Sequence, residues 1–171
     1  MTRAMSGNAA QLYKEDFLRW TEQQSRALRE AAKIGTNLPL DWENLAEEID
    51  DLGRSVRHEL RSRISTIIEH LLKLEHFPAT DPRRGSIETV TRERSQIEPL
   101  LDESPSLRRE VAGMMRQVSP GVARLTTRVL RLHGENVGNL SPPGYTEDQV
   151  LGGWFPGDIP LPASEEREGS A

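Results

Sequence analysis

The sequence predicts an all-α protein: an antiparallel bundle of about five helices built on one long second helix, with an irregular C-terminal tail. Three observations carry this reading. Within residues 40–76, Trp42, Leu45, Ile49, Leu52, Val56, Leu60, Ile64, Ile67, Leu71 and Leu74 recur in steps of three and four, the period of one helical face. No segment alternates apolar and polar residues as a half-buried strand would. Asp81-Pro82, Ser104-Pro105 and Ser119-Pro120 each set a capping side chain before a proline, the arrangement that opens helices.

Residues 1–8 read as a disordered leader ahead of a helical domain at 9–137. The first helix is expected from Ala9 to Ala32, with Leu12, Tyr13, Phe17, Trp20, Gln24, Leu28 and Ala31 on one face and Gly35 as its stop. The connector Thr36-Asn37-Leu38-Pro39 is short, so the second helix folds back antiparallel to the first. Asp41 caps that helix, Leu40 and Leu45 stand at hydrophobic-staple positions, and Pro78 ends it after His76-Phe77. At about 1.5 Å per residue it spans roughly 50 Å. Gly53 inside it costs about 1 kcal/mol against alanine, which close approach of a neighbouring helix would justify.

Helix three is expected from Pro82 to about Leu101, burying Ile87, Val90, Ile97 and Leu101, with Pro99 placing its last turn in question. Helices four (Pro105 to Val118) and five (Pro120 to about Glu135) read as one helix kinked at Pro120. Residues 138–159 are rich in proline and glycine and should dock on the bundle. Thr146 and Gln149 there have capping-box spacing, and Trp154-Phe155 is the natural anchor. Residues 160–171 read as a disordered tail.

Composition narrows the chemistry. The 171 residues include no cysteine, which removes disulfides and thiolate metal sites. No apolar run approaches the roughly 20 residues needed to span a bilayer, and the N-terminus lacks a signal-peptide core, so a cytoplasmic setting without a membrane partner is expected. Phosphate loops and serine-nucleophile elbows are absent. None of the four histidines has a glutamate three residues before it, as a di-iron bundle would require, and no metal or cofactor is expected.

Two polar groupings remain. Glu43, Glu47, Glu48, Asp50 and Asp51 crowd the first turns of the long helix, where acids favour the positive end of the helix dipole and Arg54 and Arg57 stand within reach. Glu47 and His70 lie about 35 Å apart along one axis, which disfavours a compact site holding both. Glu43, Glu47 and Glu48 are therefore expected to pair with arginines, and His70 with a local acceptor. In helix five, Arg124, Arg128 and Arg131 form a basic stripe opposite the apolar face. The chain's net charge of −5 and its few interleaved aromatics weigh against nucleic acid as a partner.

Asp41-Trp42-Glu43-Asn44-Leu45-Ala46-Glu47-Glu48-Ile49 with Leu52-Gly53 resembles the bacterial family called domain of unknown function 29. The likeness extends to Tyr13, Asp16, Trp20 and Gln24, to His70-Leu71-Leu72-Lys73-Leu74, to Ser104-Pro105-Ser106-Leu107, and to Tyr145-Thr146 and Trp154-Phe155-Pro156. The sequence departs from the family pattern at Ser86, where members often carry tryptophan, and at Pro143-Gly144, where a Cys-Pro pair is replaced. The resemblance implies an all-helical fold and brings no catalytic residues. Any site would draw on Asp16, Gln24, Asp41, Glu43, Asn44, Glu47, Glu48 and His70. The favoured function is non-catalytic: a protein–protein interaction or self-association module, its partner another protein or a second copy. The alternatives are an enzyme or metal site between helices one and two, and nucleic-acid binding through the arginine-rich later helices.

Overall fold

A computed structural model describes residues 3–35, 38–76 and 80–157, with side chains described from residue 8 except at 80–82. Helices α1 (Arg3–Glu15), α2 (Phe17–Ile34), α3 (Trp42–His76) and α4 (Thr80–Glu103) precede a 3-10 helix, Pro105–Glu110. Helices α5 (Val111–Leu132) and α6 (Glu147–Leu151) follow it. Among the described residues there is no strand.

The spine is α3. The Asp41 carboxylate accepts from the Asn44 backbone N–H at 3.2 Å and from the Asn44 amide at 2.6 Å, so the expected cap forms. Its C-terminal half holds the core: Leu60, Ile64, Ile67, Ile68 and Leu71 are all fully buried. Around them close Val90, Ile97 and Leu101 of α4, Leu107 of the 3-10 helix, Val111 and Met114 of α5, and Val150 of α6. Each buried aliphatic side chain of this kind contributes about 1.5–3 kcal/mol. Leu18 of α2 reaches the same cluster.

Four expectations are corrected. The first helix begins at Arg3, inside the expected leader, and is not continuous: the chain leaves helical geometry at Asp16 (φ −159°, ψ 90°). Asp16 instead caps α2, its carboxylate accepting from Arg19 N–H at 3.1 Å. Ser119-Pro120 opens no helix, because α5 runs unbroken through Pro120. The Ser119 hydroxyl donates back to the Met115 carbonyl at 2.7 Å, a bond that competes with capping. Of the expected helix four, Pro105–Glu110 is a 3-10 turn while Val111 to Val118 is the start of α5, joined to the expected helix five as one helix; α4 continues past Pro99 to Glu103. The capping side chains of Asp81-Pro82 and the tail 160–171 lie outside the described residues, as does Thr36-Asn37 of the connector.

Gly35, in the left-handed region (φ 71°), ends α2 as expected. After α5 the chain returns along the bundle. Thr146 and Gln149 form a reciprocal capping box at α6. Trp154 and Phe155 pack on the core. Arg94 of α4 fastens this segment by donating to the carbonyls of Gln149 (2.7 Å), Val150 (2.9 Å) and Trp154 (2.8 Å). Its guanidinium also lies 4.8 Å from the centre of the Phe155 ring. Burial without a carboxylate partner lowers the Arg94 pKa to about 10.

Candidate functional site

The register of the α2–α3 hairpin fixes what each of its sides presents. A Cβ on Gly53 would lie 2.6 Å from Thr21 Oγ1 and 3.3 Å from Leu18 Cδ1, so the two helices approach as closely there as a glycine allows. From that contact the helices run antiparallel. Glu22 pairs with Arg57, and Arg29 pairs with Asp50 at 2.5 Å and Glu47 at 3.4 Å. Arg54 adds Glu47 at 2.7 Å and Asp51, while Arg57 also reaches Glu110 at 3.0 Å. The Ser25 hydroxyl and the Arg29 guanidinium hold the Asp50 carboxyl below its ordinary pKa. All of these groups stand on one side of the hairpin.

The opposite side is apolar. On α3, Trp42, Leu45, Ile49, Leu52 and Val56 follow spacings of three, four, three and four, the seam pattern of a coiled coil. Before and along α2 the same rhythm runs through Tyr13, Phe17, Trp20, Gln24, Ala27, Ala31 and Ile34. The fully buried residues of the hairpin's N-terminal half belong to neither stripe. They are Ala46 and Gly53 on α3 and Leu18, Thr21 and Ser25 on α2. Leu45 is 40% exposed, Leu52 46%, Tyr13 52% and Ile34 80%. The Tyr13, Phe17 and Trp20 rings stack on one another, with centroids 4.8–5.7 Å apart, and not into the core. The expectation that these aromatics and leucines face the bundle interior is thus corrected for the N-terminal half of the spine. A period of three and four identifies a face but not which of two adjacent faces is covered.

The polar residues singled out in the sequence are not gathered at one place. Asp16 joins α2 to the 3-10 helix, accepting from the Ser106 N–H at 3.0 Å and hydroxyl at 2.9 Å. Asp41 and Asn44 bond each other at the start of α3. Glu47 is held by Arg29 and Arg54. Glu43 and Glu48 are exposed and enter no ion pair among the described residues, so the arginine pairing expected of all three glutamates holds for Glu47 alone. Gln24 lies half-buried in the apolar stripe of α2. His70, at the other end of α3, sits with Nδ1 3.1 Å from the Ser86 hydroxyl of α4. Burial, with the Lys73 charge second, lowers the His70 pKa below 6.5. Among the described residues no three His, Asp or Glu side chains converge as a metal site would require.

Arg124, Arg128 and Arg131 do share an exposed face of α5. Arg131 is engaged there, donating to the Val137 carbonyl at 3.1 Å and to the Asn139 side chain at 2.9 Å. Arg94 and Ser106 are the site-building residues that sequence reasoning passed over. A helix-flank arginine and a serine in a Ser-Pro-Ser run carry no local signal of the distant carbonyls and carboxylate they bond.

The model of the family described as Domain of unknown function DUF29 matches residues 12–152 of the chain. Among solved structures, the chain is similar to the crystal structure of an alpha-helical protein of unknown function from Rhodospirillum rubrum. The identity is 24% and the TM-score 0.63, over 81% of this chain and 88% of that one. That likeness shows the fold. No curated protein matches.

Proposed function

The chain belongs to the DUF29 family, and from that premise we propose that it works by association, not by catalysis: it pairs with a second copy through the apolar side of the α2–α3 hairpin. One observation carries the reading. Two coiled-coil stripes lie side by side on this hairpin, with Tyr13, Ile34, Leu45 and Leu52 exposed and, of the two, only Val56 packed against the chain's own core. A patch of this kind marks an interaction surface, because water-exposed leucines and aromatics in a continuous band are otherwise a cost. Four antiparallel helices result when two hairpins meet across it, α2 of each copy lying on α3 of the other.

Charge supports a second copy as the occupant. The α3 edge of the face carries exposed Glu48 and the α2 edge carries exposed Arg19, neither in an ion pair among the described residues. Pairing across the rim then fixes orientation. No helix of the described residues is long and apolar enough to cross a membrane, in keeping with a cytoplasmic role. Light scattering on the intact chain across a concentration series, with Leu45 and Leu52 replaced by lysine in a second sample, tests the proposal.

A further inference from the structure

The far end of the bundle holds a second feature, independent of the hairpin face. The C-terminal turns of α3, the first turns of α4 and the end of α5 enclose a cavity of about 410 Å³, within the range of small-molecule sites. Leu74, Val129 and Leu130 give it an apolar floor, and Leu74 and Leu130 are almost fully buried. His70, Lys73, Arg83, Ser86, Thr89 and His133 supply its polar wall. Among the described residues no carboxylate lines it. Ser86 in its wall is buried.

The wall is cationic by construction. Arg83 donates to the Leu74 carbonyl at 3.0 Å and to the Pro156 carbonyl at 3.2 Å, which fixes the guanidinium at the rim. Among the described residues it enters no ion pair, and its bonds go to backbone carbonyls. Lys73 is neutralised in part by Glu69, which lies outside the lining. The Ser86 hydroxyl occupies His70 Nδ1, leaving Nε2 as the free ring nitrogen. A guanidinium whose remaining N–H groups find no carboxylate favours an anion with two coplanar oxygens. Apolar side chains behind it favour a hydrocarbon body.

We propose that this cavity binds a small organic carboxylate, its head on Arg83 with Lys73 and His133 beside it and its apolar body against Leu74, Val129 and Leu130. Octanoate is the probe, added to the full chain while the ring protons of His70 and His133 are followed by NMR. Saturable shifts of both are expected, with octanol and octylammonium each binding about tenfold more weakly, the loss of one favourable charged contact. Arg83→Gln should weaken octanoate about tenfold. Ser86→Phe, which fills the cavity without touching a charge, should abolish the shifts while the circular dichroism stays helical, and it decides the matter should Arg83→Gln fail to fold. The proposal is overturned by the absence of saturation up to about 10 mM octanoate. Equal binding of octanol, or shifts that survive Ser86→Phe, overturns it as well.

Discussion

The carboxylate of Asp16 accepts from both the backbone N–H and the hydroxyl of Ser106, at 3.0 and 2.9 Å, while also capping α2 through Arg19 N–H. The favour is returned. The hydroxyl of Ser104, two residues before Ser106, accepts from the Leu18 N–H at 3.1 Å. Two helix starts, far apart in sequence, thus satisfy each other's free amides, and the break between α1 and α2 exists because Asp16 serves this exchange. Asp16→Ala should lower stability by about 2–4 kcal/mol, the sum of a lost cap and of Ser106 donors left unpaired at a half-buried place. Asp16→Asn keeps an acceptor oxygen and should cost about half as much. Urea unfolding of the two variants measures this; equal losses would show that the acceptor geometry is not what matters.

Gly53→Ala tests the hairpin's register. Alanine gains about 1 kcal/mol in helix propensity, but its Cβ would meet Thr21 Oγ1, which is buried and donates to the Leu18 carbonyl at 2.7 Å. Thr21 is β-branched and cannot swing aside, so overpacking of about 1–3 kcal/mol prevails. Combining Gly53→Ala with Thr21→Ala should restore part of the loss. A thermally stabilised single variant would mean that α2 and α3 are not this close.

Arg94 is the clasp of the C-terminal segment, so Arg94→Met should free residues 138–157 while leaving the helical core intact. Three carbonyls at the end of α6 and at Trp154 lose their donor, at a cost of about 2–4 kcal/mol. Limited proteolysis should then cut first in this stretch. Arg94→Lys should not rescue it, since one ammonium cannot span three carbonyls as a planar fork does. Unchanged cleavage would contradict the clasp.

Much of this architecture is legible in the sequence, for physical reasons that also mark the limits. The long period of α3, its Asp41 cap, the Gly53 contact and the Thr146–Gln149 box depend on neighbours within a few residues or on one helical face. The break at Asp16 does not, and at Ser119-Pro120 the sequence reads as one helix yet also carries a capping signal that the structure leaves unused. In each, a local signal competes with a bond elsewhere: Asp16 with Ser106, and Ser119 with the Met115 carbonyl. Of the candidate polar site, the sequence supplies the members and their separation along α3. Which of them meet is decided by side chains from other helices, such as Ser86 for His70 and Arg29 for Glu47.

His70 should give the protein a stability slope near neutrality. Burial, with Lys73 beside it, depresses the folded-state pKa below the ordinary 6.5. The unfolded chain therefore takes up a proton first as pH falls. Stability from this group is complete above about pH 6.5, declines below it and levels off under the depressed folded value. Urea midpoints followed downward from neutrality should fall more steeply for the parent than for His70→Gln. A His70 ring-proton titration midpoint at or above 6.5 would contradict the burial argument.

The central claim is that the exposed coiled-coil stripes of the α2–α3 hairpin join two copies of the chain. Sedimentation equilibrium on the intact protein tests it most directly. The parent should run at twice its 19.3 kDa at micromolar concentration. The Leu45→Lys/Leu52→Lys variant should run at 19.3 kDa with an unchanged helical spectrum, because both positions are exposed in the single chain. A parent protein that stays monomeric throughout, or a doubly charged variant that still pairs, would contradict the account.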